Sequence, residues 1–188
     1  MLSKIKKYRH CFIIAIYFVA YLILFGYLEQ RPVRAYHVVH TVFDDMIPFC
    51  EIFIIPYLLW FPYVVITVVY FLFRNKNKKE YFQLIFNLMM GMTVFLVVSY
   101  IYPNVQYLRP AVFPRSNIFT RLVAELYRTD TPTNILPSIH VFNSLAVYFA
   151  IHHCQALKDR KWLQRGALIL SVLIILSTMF IKQHSVID

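Results

Sequence analysis

An all-α bundle of helices that crosses a membrane several times is the fold this sequence predicts, and three observations predict it. Hydrophobic residues make up 60% of the 188, aromatic residues 18%, and only three residues are glycine. Mean hydropathy is +0.58, a balance foreign to a soluble domain of this length. The apolar residues also come in continuous runs of about twenty, the length needed to cross roughly 30 Å of hydrocarbon. Finally, most basic residues are confined to three short segments that alternate with those runs.

Five spans follow, at about residues 11–29, 52–73, 81–101, 140–157 and 163–181. Each reads as a helix, because only helices and closed barrels satisfy the backbone in lipid and these runs do not alternate as strands would. The whole of residues 1–188 reads as one integral membrane domain. The first span has no small-x-small cleavage pattern in Leu24-Phe25-Gly26-Tyr27-Leu28 and is read as an uncleaved anchor.

Charge sets the orientation. Lys4, Lys6, Lys7 and Arg9 precede the first span; Arg74, Lys76, Lys78 and Lys79 follow the second; Lys158, Arg160, Lys161 and Arg165 join the last two. These are twelve of the nineteen basic residues, offset only by Glu80 and Asp159, so the whole formal net charge of +10 falls on one side. The positive-inside rule makes that side cytoplasmic, with the N-terminus. Such a distribution speaks of bilayer topology and anionic lipid; no nucleic acid partner is implied.

Between the first two spans, residues 31–51 mix charged and apolar side chains and predict a short helix at the outer interface. His37 and His40, three apart, lack a third ligand and are read as interfacial or ion-paired. Asp44 and Asp45 either cap a turn before Pro48 or orient a head group. Pro56 and Pro62 predict a kinked second span. In the long outer loop after the third span, Arg109, Arg115, Arg121 and Arg128 offer guanidinium groups suited to phosphate. An amphipathic helix near 118–127 accounts for the last two as solvated side chains, and Arg115 is read in the same way. Cys11 and Cys154 fall inside and Cys50 outside, so neither a disulfide nor a cysteine metal site is expected. No phosphate loop or nucleotide motif is present, and neither cofactor nor metal is expected.

The chemistry concentrates in Leu136-Pro137-Ser138-Ile139-His140 and Ser177 to Asp188. His184 and Asp188 are four apart and would share one face of a helix, the carboxylate holding one ring nitrogen and leaving the other free. Ser138 and His140 supply a hydroxyl and a second proton carrier. Arg109-Pro110, Pro137-Ser138-Ile139-His140, and Ser177 followed by His184 and Asp188 also occur in a fixed order. That order and spacing resembles the type 2 phosphatidic acid phosphatase superfamily, which includes vanadium haloperoxidases and whose blocks run Lys-x6-Arg-Pro, Pro-Ser-x-His and Ser-Arg-x5-His-x3-Asp. Phe43-Asp44-Asp45-Met46-Ile47-Pro48-Phe49 and the segment from Ile54 to Tyr63 look like the branch of inositolphosphotransferases that make inositol phosphorylceramide. Three positions depart from the pattern: Tyr102 stands where the family has Lys, Thr178 where it has Arg, and Ile139 where Gly is common. Lys182 is the nearby candidate to replace a missing cation.

The resemblance implies phosphoryl transfer from a lipid phosphate or phosphodiester at the extracytoplasmic face of the cell membrane, without metal, through a phosphohistidine. His184 would be the nucleophile, Asp188 its orienting partner and His140 the proton donor to the leaving oxygen. Arg109, Ser138 and Lys182 would hold the phosphate. Water as acceptor gives a phosphatase, and a lipid or polyol hydroxyl gives a transferase. A non-catalytic membrane protein keeping the framework is the rival reading. In the resembled family a sixth helix follows the His-x3-Asp block, so the expectation is a six-helix core of which five spans are present: either the chain is a truncated version of a longer protein, or a partner helix or a homo-oligomer completes the site.

Overall fold

The computed structural model describes residues 9–188, with side chains from Ile14 onward. The basic residues Lys4, Lys6 and Lys7, and the side chains of Arg9 and Cys11, lie outside that description. The chain is mostly helical: α1 (Arg9–Gln30), the short α2 (Val42–Met46), α3 (Ile54–Phe73) entered through a 3-10 turn at Glu51–Phe53, α4 (Lys78–Ile101), α5 (Ile118–Thr129), α6 (Ile139–His153) and α7 (Lys161–Phe180).

Among the described residues three stretches are long and apolar enough to cross a membrane: Glu51–Phe73, Lys78–Ile101 and Lys161–Phe180. The described apolar part of α1, Ile14–Gln30, is shorter. The span expected at 140–157 is a helix of only 15 residues, Ile139–His153. Its C-cap Cys154 is extended and a 3-10 turn, Gln155–Leu157, follows. The short α6 lies between α4 and α7 and packs against both. Within α3 only Pro62 is interior; Pro56 sits in the first turn, where its missing N–H had no helical partner to lose.

One apolar core joins α3, α4, α6 and α7 through Phe71, Tyr81, Leu84, Leu88, Val147 and Ala167. A Cβ added at Gly91 of α4 would collide with the ring of Phe142 on α6, so this glycine permits the close approach of the two helices. At one end of the bundle Asn75 donates to Glu80 (2.7 Å) and to Cys154 Sγ (3.7 Å), while Gln155 N–H reaches Glu80 (3.3 Å). These bonds tie the α3–α4 turn to the α6–α7 turn, so the two basic segments after Phe73 and around Lys161 share that end.

The opposite end carries the irregular structure. Residues 31–51, expected to form a short helix, hold the five-residue α2 and, ahead of it, a two-residue strand β1 (His37–Val38) that pairs in parallel with β2 (Asn104–Val105). The strand was not expected; it forms because the backbone of 37–39 bonds to Pro103 and Val105 (both 2.9 Å). Arg31 donates to the last carbonyls of α4, Ser99 O at 2.7 Å and Tyr100 O at 2.9 Å, where a cation suits the helix end. The amphipathic α5 forms as expected, opened by a reciprocal cap between Asn117 and Thr120. Its inward face places Val123 against Ile54, Tyr57 and Ile181.

Candidate functional site

His140 and His184 meet at this second end. Ser138 opens α6 as its N-cap, its hydroxyl accepting from Val141 N–H at 3.4 Å, and so aims the first turn that carries His140. The His140 ring rests against Tyr57 (centroids 4.5 Å) and Trp60 (4.4 Å), which are three apart on α3 and therefore on one face. His184 approaches edge-on, its centroid 5.6 Å from that of His140.

The His184–Asp188 pair is present but is not helical. The helix α7 ends at Phe180, and residues 181–187 form successive turns. Both Gln183 N–H and His184 N–H bond to Thr178 O (2.9 and 3.0 Å), and Lys182 takes a left-handed backbone with φ of 54°. Asp188 N–H bonds to Ser185 O at 3.2 Å, which folds the chain back so that the Asp188 carboxylate hydrogen-bonds His184 Nδ1. Nε2 is thereby the nitrogen left for a ligand.

What holds these turns in place comes from far away in the sequence. Asp44, only 2% exposed, accepts from Ser185 Oγ at 2.6 Å and from Val186 N–H at 2.8 Å. The same carboxylate accepts from Thr41 N–H at 2.7 Å, so it does cap the turn before Pro48. Burial would raise its pKa, but the bonds from Ser185, Val186 and Thr41 outweigh that and hold it below the ordinary value.

Lys182 is not part of the histidine cluster. Its backbone turns the ammonium to Asp44 O (2.7 Å), and it lines a separate cavity of about 540 Å³ with His40, Asp44, Asp45 and Tyr107. Burial lowers its pKa, with Asp44 and Asp45 opposing. The left-handed residue is what sends Lys182 to one side and His184 to the other, which helical phase alone did not reveal.

Arg109 sits behind the cluster. Its guanidinium lies over the Tyr127 ring at 4.4 Å and donates to Tyr127 O (3.2 Å), Asp130 O (2.8 Å) and Gln183 Oε1 (2.5 Å). Its Nε is buried with no hydrogen-bond partner among the described residues. Gln183 passes the link on to Asp130 Oδ2 at 2.9 Å, where Tyr57 Oη also donates at 3.2 Å. Burial pushes the Asp130 carboxyl above its ordinary range, while His184, Tyr57 and Arg109 draw it partly back. Of the other loop arginines, Arg115 pairs with Glu51 (3.1 Å) and is not merely solvated, Arg128 makes a surface pair with Glu125 (2.8 Å), and Arg121 is exposed.

The positions that break the family pattern have structural partners of their own. Tyr102 stacks on His37 with centroids 4.0 Å apart. Thr178 is buried and donates within its own helix to Ile175 O at 2.7 Å. His40 pairs with Asp45 at 3.0 Å. No group of three potential metal ligands occurs among the described residues.

His140 and His184 line the polar end of a cavity of about 730 Å³, together with Asp130, Gln183, Glu29 and Asn134. The remainder is apolar and runs between α1, α3 and α4, past Phe25, Val64, Val68 and Leu88 to Ile14 and Tyr81. From Trp60 to Leu72 on α3 that is about 18 Å at 1.5 Å per residue. Sequence reasoning did not identify Tyr57, Trp60, Asp130 or Gln183 as neighbours of the histidines. The available signal was spacing: Tyr57 and Trp60 share a face of α3, and Gln183 adjoins His184.

Comparison with known proteins found no match, whether to a family model, a curated protein or a solved structure. The fold therefore stands on its own geometry, a predominantly helical chain with, among the described residues, three helices long and apolar enough to cross a membrane and a histidine pair at one end of the bundle.

Proposed function

We propose that this chain is a membrane lipid phosphatase or phosphotransferase that acts through a phosphohistidine on His184. The observation that carries the reading is the junction of two unlike environments. A histidine oriented by a carboxylate and a second histidine stand at the head of a long apolar slot. A lipid phosphate has the matching shape, with a charged head and an apolar tail, and a volume of this size is ordinary for a ligand site.

In the first step His184 Nε2 attacks phosphorus, the bond from phosphorus to the leaving oxygen breaks, and His140 gives that oxygen a proton. In the second step water or an alcohol attacks the phosphohistidine, the P–N bond breaks, and His140 takes the proton of the attacking hydroxyl. Asp188 orients His184 through its hydrogen bond to Nδ1. Ser138 and the helix start behind it would stabilise charge on the phosphate oxygens, and Arg109 would do so only after giving up its bonds to Tyr127, Asp130 and Gln183. No resident metal or cofactor enters these steps.

We further infer five membrane crossings, with α1 and the short α6 joining the three longer helices in a single domain. The histidine end is extracytoplasmic and the basic end cytoplasmic, since the basic turns lie opposite the histidines. A non-catalytic protein keeping this framework is the second reading, favoured by one observation: both terminal nitrogens of Arg109 are occupied by protein oxygens. One experiment separates the two. Detergent-solubilised protein is incubated with radiolabelled lipid phosphates, with and without a polyol acceptor, and released phosphate, transferred head group and acid-labile phosphoprotein are measured. Turnover and labelling that vanish in His184→Ala support the enzyme; no turnover and no labelling support the framework protein.

A further inference from the structure

Asn143 is the buried polar group that the proposed chemistry leaves unused. It lies three residues after His140 on α6, hence on the same face and about 4.5 Å further along the axis. It lines the same cavity as the two histidines. Although Asn143 is only 3% exposed, its side-chain oxygen Oδ1 has no hydrogen-bond partner among the described residues. A buried carbonyl oxygen left unpaired costs free energy, and a side chain placed so against an open cavity is one whose partner arrives with a ligand.

The neighbouring groups indicate what that partner is. Trp60 Nε1, beside the His140 ring, is a buried donor equally without a partner, suited to a phosphate oxygen. One turn beyond His140, Asn143 Oδ1 is an acceptor and calls for a donor. Asn134 Oδ1, in the lining of the same cavity, is a second buried acceptor without a partner. Past Asn143 the lining from α1, α3 and α4 is apolar. Along α6 the order is thus His140, then the acceptor Asn143, with the apolar lining of the neighbouring helices beyond.

We propose that Asn143 is a specificity-determining residue that accepts a hydrogen bond from a hydroxyl or amide N–H on the lipid backbone, within a few bonds of the phosphate. The substrate class is then a lipid phosphate carrying such a donor and one chain in the slot. A backbone with ester carbonyls and ethers alone brings only acceptors and leaves Asn143 Oδ1 unpaired. This inference rests on the lipid-phosphate reading of the site, with Asn143 as a binding group that takes no part in proton transfer.

The test uses the full chain in detergent micelles and two non-hydrolysable phosphonates, the analogue of 1-acyl-2-hydroxy-glycerol phosphate and its 2-O-methyl ether. They differ in the donor and in one added methyl group, and the Asn143→Ala variant separates the two effects. Wild type is expected to bind the hydroxyl compound roughly 5- to 100-fold more tightly, the consequence of leaving a buried acceptor unpaired with the ether. Asn143→Asp, which keeps the acceptor, should retain the preference, and Asn143→Ala should erase it. Equal binding of the two compounds by wild type, no binding of either, or a preference that survives in Asn143→Ala would each overturn the proposal. Binding is read without turnover, so a protein that discriminates between the phosphonates yet never forms phosphohistidine would refute the catalytic reading and leave this one standing.

Discussion

Ser185 donates its hydroxyl to the carboxylate of Asp44 at 2.6 Å, across 141 residues of sequence. Val186 N–H joins it at 2.8 Å, and Lys182 reaches the backbone oxygen of the same aspartate at 2.7 Å. His184 thus sits within a run of turns fastened on both sides to the short helix α2. Turns without a helical ladder have little rigidity of their own, and a group that must orient a reacting atom needs support from elsewhere.

Removing either histidine should abolish turnover of lipid phosphates. His140→Ala is expected to lower kcat by about 10²- to 10⁴-fold, the usual worth of a positioned proton carrier. His184→Ala should also end acid-labile labelling. Asp188→Asn should leave a slower enzyme that still labels, because an orienting group makes no bond to phosphorus. Labelling that persisted in His184→Ala would remove His184 as the nucleophile.

Asp44 should give the protein a pH-dependent stability of defined sign. Its pKa in the folded state lies below the ordinary 3.8, so its contribution is complete above that value and is lost as pH falls through the lowered folded-state pKa. Thermal unfolding in detergent between pH 6 and pH 2 should therefore lose less stability on acidification in Asp44→Asn than in wild type. At neutral pH the same variant should be less stable than wild type by about 1–3 kcal/mol, having replaced a buried charge-assisted acceptor. Parallel acid curves for the two proteins would show that the ionised carboxylate contributes nothing.

Sidedness can be read with single cysteines at exposed positions in a background lacking the native ones. Tyr107→Cys, at the histidine end, should react with a membrane-impermeant thiol reagent on intact cells. Asp159→Cys, at the basic end, should react only after permeabilisation. The reverse pattern would place the histidine cavity on the cytoplasmic face.

Packing of α6 against α4 depends on Gly91. Gly91→Ala should destabilise the protein by roughly 1–3 kcal/mol, the usual cost of overpacking, because its new methyl group meets the Phe142 ring. Adding Phe142→Ala should recover part of that loss, so the two changes should be non-additive in a double-mutant cycle followed by thermal unfolding. Strict additivity would mean that the ring moves aside freely.

Composition and the length of continuous apolar runs determined which segments are helical, since only helices and closed barrels satisfy the backbone in hydrocarbon and these runs do not alternate; Glu51–Phe73, Lys78–Ile101 and Lys161–Phe180 were legible on that basis alone. The sequence also determined that Ser138, His140, His184 and Asp188 belong at one end of the bundle, because their places relative to the helix ends follow from counting. It did not determine how they are held. The 181–188 segment has no apolar period, and its path depends on Asp44, whose partner is chosen by packing and not by spacing. Only the tertiary structure decided that Lys182 turns away from His184 through one left-handed residue, and that Arg109 lies behind the cluster on Tyr127. It likewise decided that His37–Val38 is a strand, through backbone bonds to Pro103 and Val105. In each case the deciding contact joins residues far apart in the chain, and local propensity carries no information about a partner that only folding supplies.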